Sequence, residues 1–136
     1  LDNRNNELYT ERMTEYQGEK RENAVNFIEL NLMTAQTIDL IDPDGNTDTQ
    51  KVEANLQQIT QRINKLQPGT TSETQNAVRE YQDSVKEFVA EARNYIIINS
   101  SYGEAYTQLF IKYNKMVGKA NVVNMAELDA TEQKKK

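Results

Sequence analysis

The sequence predicts an all-α protein, an antiparallel up-down four-helix bundle with two long outer helices and shorter inner helices. Three observations predict it. Apolar residues recur at spacings of three and four through most of the chain, the period of helices with one buried stripe. Short polar clusters at 42–48, 67–71 and 99–101 cut that pattern into four segments. With hydrophobic residues at only 37%, the chain suits the narrow seam of a bundle better than a thick core. Its 136 residues read as a single domain, 1–136.

The first segment runs from about Asn5 to Ile41, with Tyr9, Met13, Tyr16, Ala24, Phe27, Ile28, Ala35, Ile38 and Ile41 as its stripe. Gly18 and Asn31 weaken the stripe, and Pro43 with Gly45 ends the helix. The second segment is stricter: Val52, Leu56, Ile59, Ile63 and Leu66 alternate steps of four and three, as in a coiled-coil seam. Thr47 and Gln50 offer it a capping box, and Pro68-Gly69 ends it.

The third segment opens on a second capping box, Ser72 with Gln75, and places Val78, Tyr81, Val85, Phe88, Ala92 and Tyr95 on one side. The fourth carries Tyr102, Tyr106, Leu109, Tyr113, Met116, Ala120 and Val123. The stripe keeps its phase from Val78 to Val123, so one continuous helix is the alternative. Length argues against it. A helix from Ser72 to about Ala130 would be on the order of 85 Å long, against about 55 Å for the first segment. A turn near Ser100 is therefore expected, with both chain ends at one end of the bundle.

Composition excludes several chemistries. The chain has no cysteine and no histidine, which removes thiolate chemistry, the commonest general base and the commonest transition-metal ligand. No enzyme activity and no cofactor are expected. Basic residues are scattered and outnumbered by acidic ones, 16 against 21, for a net charge of -5, so nucleic acid is not an expected partner. The longest apolar run, Tyr95 to Ile98, is far short of a membrane span. A chain that begins at Leu1 rather than Met is expected to be a piece of a longer protein.

The stretch "DPDGNTDTQKVE", 42–53, lays Asp42, Asp44, Asn46, Asp48, Gln50 and Glu53 on the ligand positions of a twelve-residue calcium loop. Thr47 stands where the sixth position needs glycine, and there is no second loop for pairing. The stretch reads first as a polar turn between helices, with weak calcium ligation by Asp42, Asp44, Asn46, Asp48 and Glu53 as the alternative. All seven tyrosines fall on apolar stripes. Packing accounts for most of them; Tyr102 and Tyr106, near the end of the bundle away from the chain termini, are also candidates for a ligand. Arg93, beside the seam position Ala92, either covers apolar neighbours or clamps a carboxylate. With Asn31 and Gln36 these give a candidate small-molecule site: Asn31, Gln36, Arg93, Tyr102 and Tyr106. There is no Glu-x-x-His motif for a di-iron site, Glu87 and Glu91 read as a solvated face, and Asn99-Ser100-Ser101 matches a glycosylation sequon.

Three stretches carry a resemblance. "ENAVNFIELNLMTAQTIDLID", "VREYQDSVKEFVAEARNYI" and "YTQLFIKYNKMVGKANVVNMAELDA" are similar in pattern and length to the first, third and fourth helices of the four-helix-bundle sensor domain of bacterial chemoreceptors. The resemblance implies a periplasmic or cell-surface domain, anchored in the membrane through segments outside this sequence. It implies a homodimer packed along the first helix, a small-molecule ligand at the membrane-distal end and signalling by a small displacement of the last helix. In that family, arginines on the first helix hold acidic ligands. Here the first-helix basic residues, Arg12, Lys20 and Arg21, lie in the half nearest the chain ends. A sensor kinase is an equal match, and the rival class is a small surface-anchored lipoprotein that acts as a structural or protein-interaction module.

Overall fold

The computed structural model describes residues 22–98 and 103–135, apart from the side chains of 128 and 130–135. The described residues are all-α: they form four helices and no strand. Helix α1 occupies 22–40, α2 Thr49–Ile63, α3 Ser72–Ile98 and α4 Gly103–Lys135. Tyr9, Met13, Tyr16, Tyr102 and the turn expected at 99–101 lie outside the described residues. The single continuous helix is nevertheless overturned, because α3 and α4 pack side by side, tied by Lys115 to Glu87 (2.8 Å) and Lys119 to Glu80 (3.2 Å).

Side-chain contacts tie neighbouring helices together. Between α1 and α2, Arg62 pairs with Glu29, and the Gln67 N–H beyond α2 donates to Asn23 Oδ1. Between α2 and α3, Gln82 Nε2 donates to the Ile63 carbonyl while Arg93 pairs with Glu53. In each pair, contacts climb one helix as they descend the next. Between α1 and α3 they climb together: Tyr81 O–H donates to Asn31 Oδ1, and Tyr95 O–H to the Asp42 carbonyl.

The core runs along the predicted seams. Val52, Leu56, Ile59, Ile63 and Leu66 are all buried, as are Val78, Tyr81, Val85, Phe88, Ala92 and Tyr95. The α4 stripe holds as well: Leu109, Met116, Ala120 and Val123 are buried, and Tyr106 and Tyr113 pack against them half-buried. Burying one such large side chain contributes about 1.5–3 kcal/mol relative to exposure.

Helix α1 departs from expectation. Ile28 is 64% exposed and Ala24 is exposed, whereas Leu30, Thr34 and Thr37 are buried. The buried arc is thus turned by about 70° round the helix from the expected stripe. Thr34 and Thr37 can occupy it because each hydroxyl donates back within the helix, to the Asn31 and Met33 carbonyls. Their polar atoms are satisfied and their methyls pack, which a count of apolar letters does not register.

Both capping boxes shift by one position. At α2 the cap is Asp48, which accepts from the Lys51 N–H; Thr47 instead bonds Asp42 inside the loop. At α3 the cap is Thr71. Thr74 N–H donates to Thr71 Oγ1 and Thr71 N–H to Thr74 Oγ1, a reciprocal pair at 3.1 and 3.0 Å. Gly69 lies under it: a Cβ there would collide with the Thr74 side chain and come within 2.7 Å of its backbone carbonyl carbon.

Candidate functional site: two ends and an outer face

The end formed by the 42–48 loop is built around Asp42. Its carbonyl accepts from Gly45 N–H, Thr47 Oγ1 and Tyr95 O–H, its carboxylate accepts from Asp44 N–H, and its own N–H donates to Thr47 Oγ1. Gly45 takes the sharp turn at φ 88°, at the fourth position rather than the sixth. Asp48 caps α2 and Glu53 faces Arg93 at 3.2 Å. The loop is thus an Asx-type turn in which oxygens of Asp42, Asp48 and Glu53 already hold protein donors. Among the described residues, no cluster of three or more acidic side chains is placed to hold a metal ion.

Three of the five candidate ligand residues have separate partners. Asn31 accepts from Tyr81, Arg93 is spent on Glu53, and the Tyr106 ring sits between Tyr95 and Phe110, at 6.4 and 5.1 Å. Gln36 is exposed on α1, and Tyr102 lies outside the described residues. Arg93 answers the choice left by the sequence: it clamps a carboxylate of its own chain. Tyr95 is the perturbed group at this end. Burial first, then the charge of Asp42, pushes its phenol above the ordinary range.

A partly open cavity lies at the opposite end. About 200 Å³ is walled by Phe27, Leu66, Val78, Tyr81 and Val123, with Asn23 and Asn124 at its edge. An open groove of about 500 Å³ runs between α2 and the last turn of α3. Neither is lined by Asn31, Gln36, Arg93 or Tyr106. Within the cavity wall, burial alone raises the Tyr81 phenol strongly, and its hydroxyl is committed to Asn31.

The third feature is a surface. Outside its core stripe, α4 exposes Phe110, Ile111, Val117, Val122 and Met125, the last by 63%. At 100° per residue these fall with Asn114, Gly118 and Asn121 in an arc of about 140°, roughly opposite the buried stripe. No Asp, Glu, Lys or Arg lies in that arc between 110 and 125. On α1, Val25, Ile28 and Leu32 are exposed by 47–64%, and Ile28 shares the cavity wall with Asn124 of α4. The signal was present in the sequence as apolar residues off the stripe of the fourth segment; assigning one stripe per helix passes over it.

The chain matches no known family model, and no curated protein or solved structure is similar to it. No helix among the described residues is long and apolar enough to cross a membrane.

Proposed function

We propose that the four helices form an antiparallel up-down bundle whose work is docking: a non-enzymatic interaction module that meets a protein partner through the outer face of α4. One observation carries this reading. A surface helix ordinarily presents charged and polar residues to water, and a helix apolar on both sides ordinarily has neighbours on both sides. Among the described residues, helix α4 has a neighbour on one side only, yet its outer arc is uncharged for four turns. Such a module suits the small surface-anchored lipoprotein class. The test is a photo-crosslinking residue at Val122, compared with one at the exposed polar position Asn94 of α3, in the cells that make the protein. An adduct from 122 and none from 94 is expected; no adduct from 122 sinks the reading.

A second reading has its own observation. The cavity beneath the 67–71 turn would suit a small apolar molecule, as the extracytoplasmic sensor domain of a membrane-anchored chemoreceptor requires, although about 200 Å³ is below the usual 300–1,000 Å³ of ligand pockets. In this reading the ligand sits near Phe27 and Val123 rather than near Arg93. A thermal-shift screen of small apolar molecules tests it: a hit must vanish in Val123→Trp, which fills the cavity.

A further inference from the structure

Four parts of the chain converge on the cavity opposite the 42–48 loop: the start of α1, the connection after α2, the first turns of α3 and the later part of α4. Its walls Phe27, Leu66, Val78, Tyr81 and Val123 are all buried. Close-packed interiors hold few voids larger than a water molecule, and leaving one empty is destabilising. The space here, about 200 Å³, is several times what one water occupies. An apolar cavity of about 150 Å³ is enough to hold benzene. This one therefore has room for a single ring with a small substituent.

The wall is already formed. Asn23 Oδ1 accepts from the Gln67 N–H at 2.9 Å, which ties the connection to α1, and the reciprocal Thr71–Thr74 bonds tie it to α3. A site built in advance loses little freedom on binding. Two aromatic rings belong to this wall. Phe27 and Tyr81 meet at 5.0 Å between centroids, tilted by 51°, an arrangement that a third ring can extend edge to face. The Tyr81 hydroxyl is held by Asn31, so what Tyr81 offers a ligand is its ring.

Polarity at the rim narrows the ligand further. Only an acceptor can face the Gln67 N–H, so the Asn23 amide turns Oδ1 toward the connection, which makes Nδ2 the end that donates elsewhere. Asn124 adds a second amide. Among the described residues that line the cavity there is no Lys or Arg, and there is one carboxylate, Glu127. An anion entering here would lose hydration without gaining a counter-charge. From the size of the space, the paired rings and the uncharged donor we infer that the cavity binds a neutral, single-ring aromatic molecule carrying one oxygen acceptor, such as an aryl ketone. The ligand ring lies against Phe27 and Tyr81, and its oxygen accepts from Asn23 Nδ2. The inference rests on the reading of the cavity as a small-molecule site and names the class of its ligand. It does not depend on docking at α4.

Acetophenone is the probe. Cyclohexyl methyl ketone is its saturated counterpart, benzoate its anionic one, and benzene the ring without an acceptor. NMR titration of the 136-residue chain reads their affinities. Acetophenone should bind about threefold to tenfold more tightly than cyclohexyl methyl ketone. Its advantage over benzoate should be about tenfold or more. Asn23→Asp keeps an oxygen for the Gln67 N–H and removes the Nδ2 donor, so it should weaken acetophenone by about threefold to tenfold and leave benzene unchanged. Intermolecular NOEs from the acetophenone ring to the Phe27 and Tyr81 rings should place the ligand without any substitution. Equal affinity for the saturated ketone, tighter binding of benzoate, or an equal loss of benzene and acetophenone in Asn23→Asp overturns the ligand class and leaves the cavity a small-molecule site. Binding without those NOEs, or no binding by any of the four probes, removes the site as well.

Discussion

Helices α3 and α4 are the two longest described elements, 27 and 33 residues, and they pack against each other. Their surfaces differ in kind. Through most of its length α3 places its large apolar residues inward: Val78, Tyr81, Val85, Phe88, Val89, Ala92 and Tyr95 are buried, and Arg79, Glu80, Asp83 and Lys86 face water. Only its last residues, Ile97 and Ile98, are exposed. Helix α4 does the same on its inner side and then exposes Phe110, Ile111, Val117, Val122 and Met125 on its outer side. The fold accounts for α3 almost entirely, whereas the outer side of α4 is explained by nothing among the described residues. Surface that folding does not explain is where function is sought.

The largest test of this contrast compares deletions on the two helices. Phe88 is fully buried, and Phe88→Ala should cost about 3–5 kcal/mol in denaturant unfolding through lost transfer energy and a cavity. Val122→Ala should change the stability of the monomer by no more than about 0.5 kcal/mol. Measured at low protein concentration, a Val122→Ala cost near that of Phe88→Ala would mean that the outer face is covered by the chain itself.

Two glycines sharpen it. Gly69→Ala should destabilise by about 1–3 kcal/mol, because its Cβ would be driven into Thr74 and the α3 capping pair. Gly118→Ala should stabilise the monomer by about 0.5–1 kcal/mol through helix propensity. Opposite signs in thermal unfolding of the dilute protein are the expected result. A loss at Gly118 would place a neighbour where none stands.

Next in size is Tyr81→Phe. It removes the hydrogen bond to Asn31 and should cost about 0.5–1.5 kcal/mol at neutral pH. Burial raises the folded-state phenol well above its unfolded value. The neutral form is therefore favoured in the fold, and the stability linked to it is complete below about pH 10 and declines as pH rises beyond that. Wild type should lose stability above pH 10 more steeply than Tyr81→Phe, read from urea midpoints at pH 9 and pH 11. Equal slopes would mean that the ring is wetter than its burial implies.

How much of this was legible in the sequence follows the same division. The α2 and α3 stripes were readable residue by residue, because each carries one apolar period between unambiguous breakers. In α1, Thr34 and Thr37 entered the core on the strength of backbone hydrogen bonds, so Ile28 was misplaced inward. The caps slipped by one residue because neighbouring threonines and aspartates compete for the same N–H groups. The proposed ligand cluster rested on residue types near one end of the bundle. It did not foresee that Glu53 would take Arg93, since a 40-residue separation leaves no local trace. The outer face of α4 was visible as letters but not as a surface: two interleaved stripes on one helix read as a single broad apolar segment until the fold shows which side is covered.

The smallest effect concerns what joins α3 to α4. Glu87 and Lys115 are 2.8 Å apart and both side chains are more than 40% exposed. The hydrogen bond from Lys115 holds the Glu87 carboxyl below its ordinary value against the opposing effect of burial, with a lesser contribution from the charge of Lys112. A carboxyl lowered in the fold lends stability that is present above its unfolded pKa, about 4.3, and is lost as pH falls through the folded value. Solvent screening limits it to a few tenths of a kcal/mol. Glu87→Gln should therefore cost that much at pH 7 and nothing at pH 2.5, measured as a difference in urea midpoint between variant and wild type at each pH. A cost of 2 kcal/mol or more would mean that ion pairs, not the Phe88–Met116 stripe, hold α4 in place. The outer face of α4 would then be a poor guide to docking, because the apolar inner face would not be what binds the helix to the bundle.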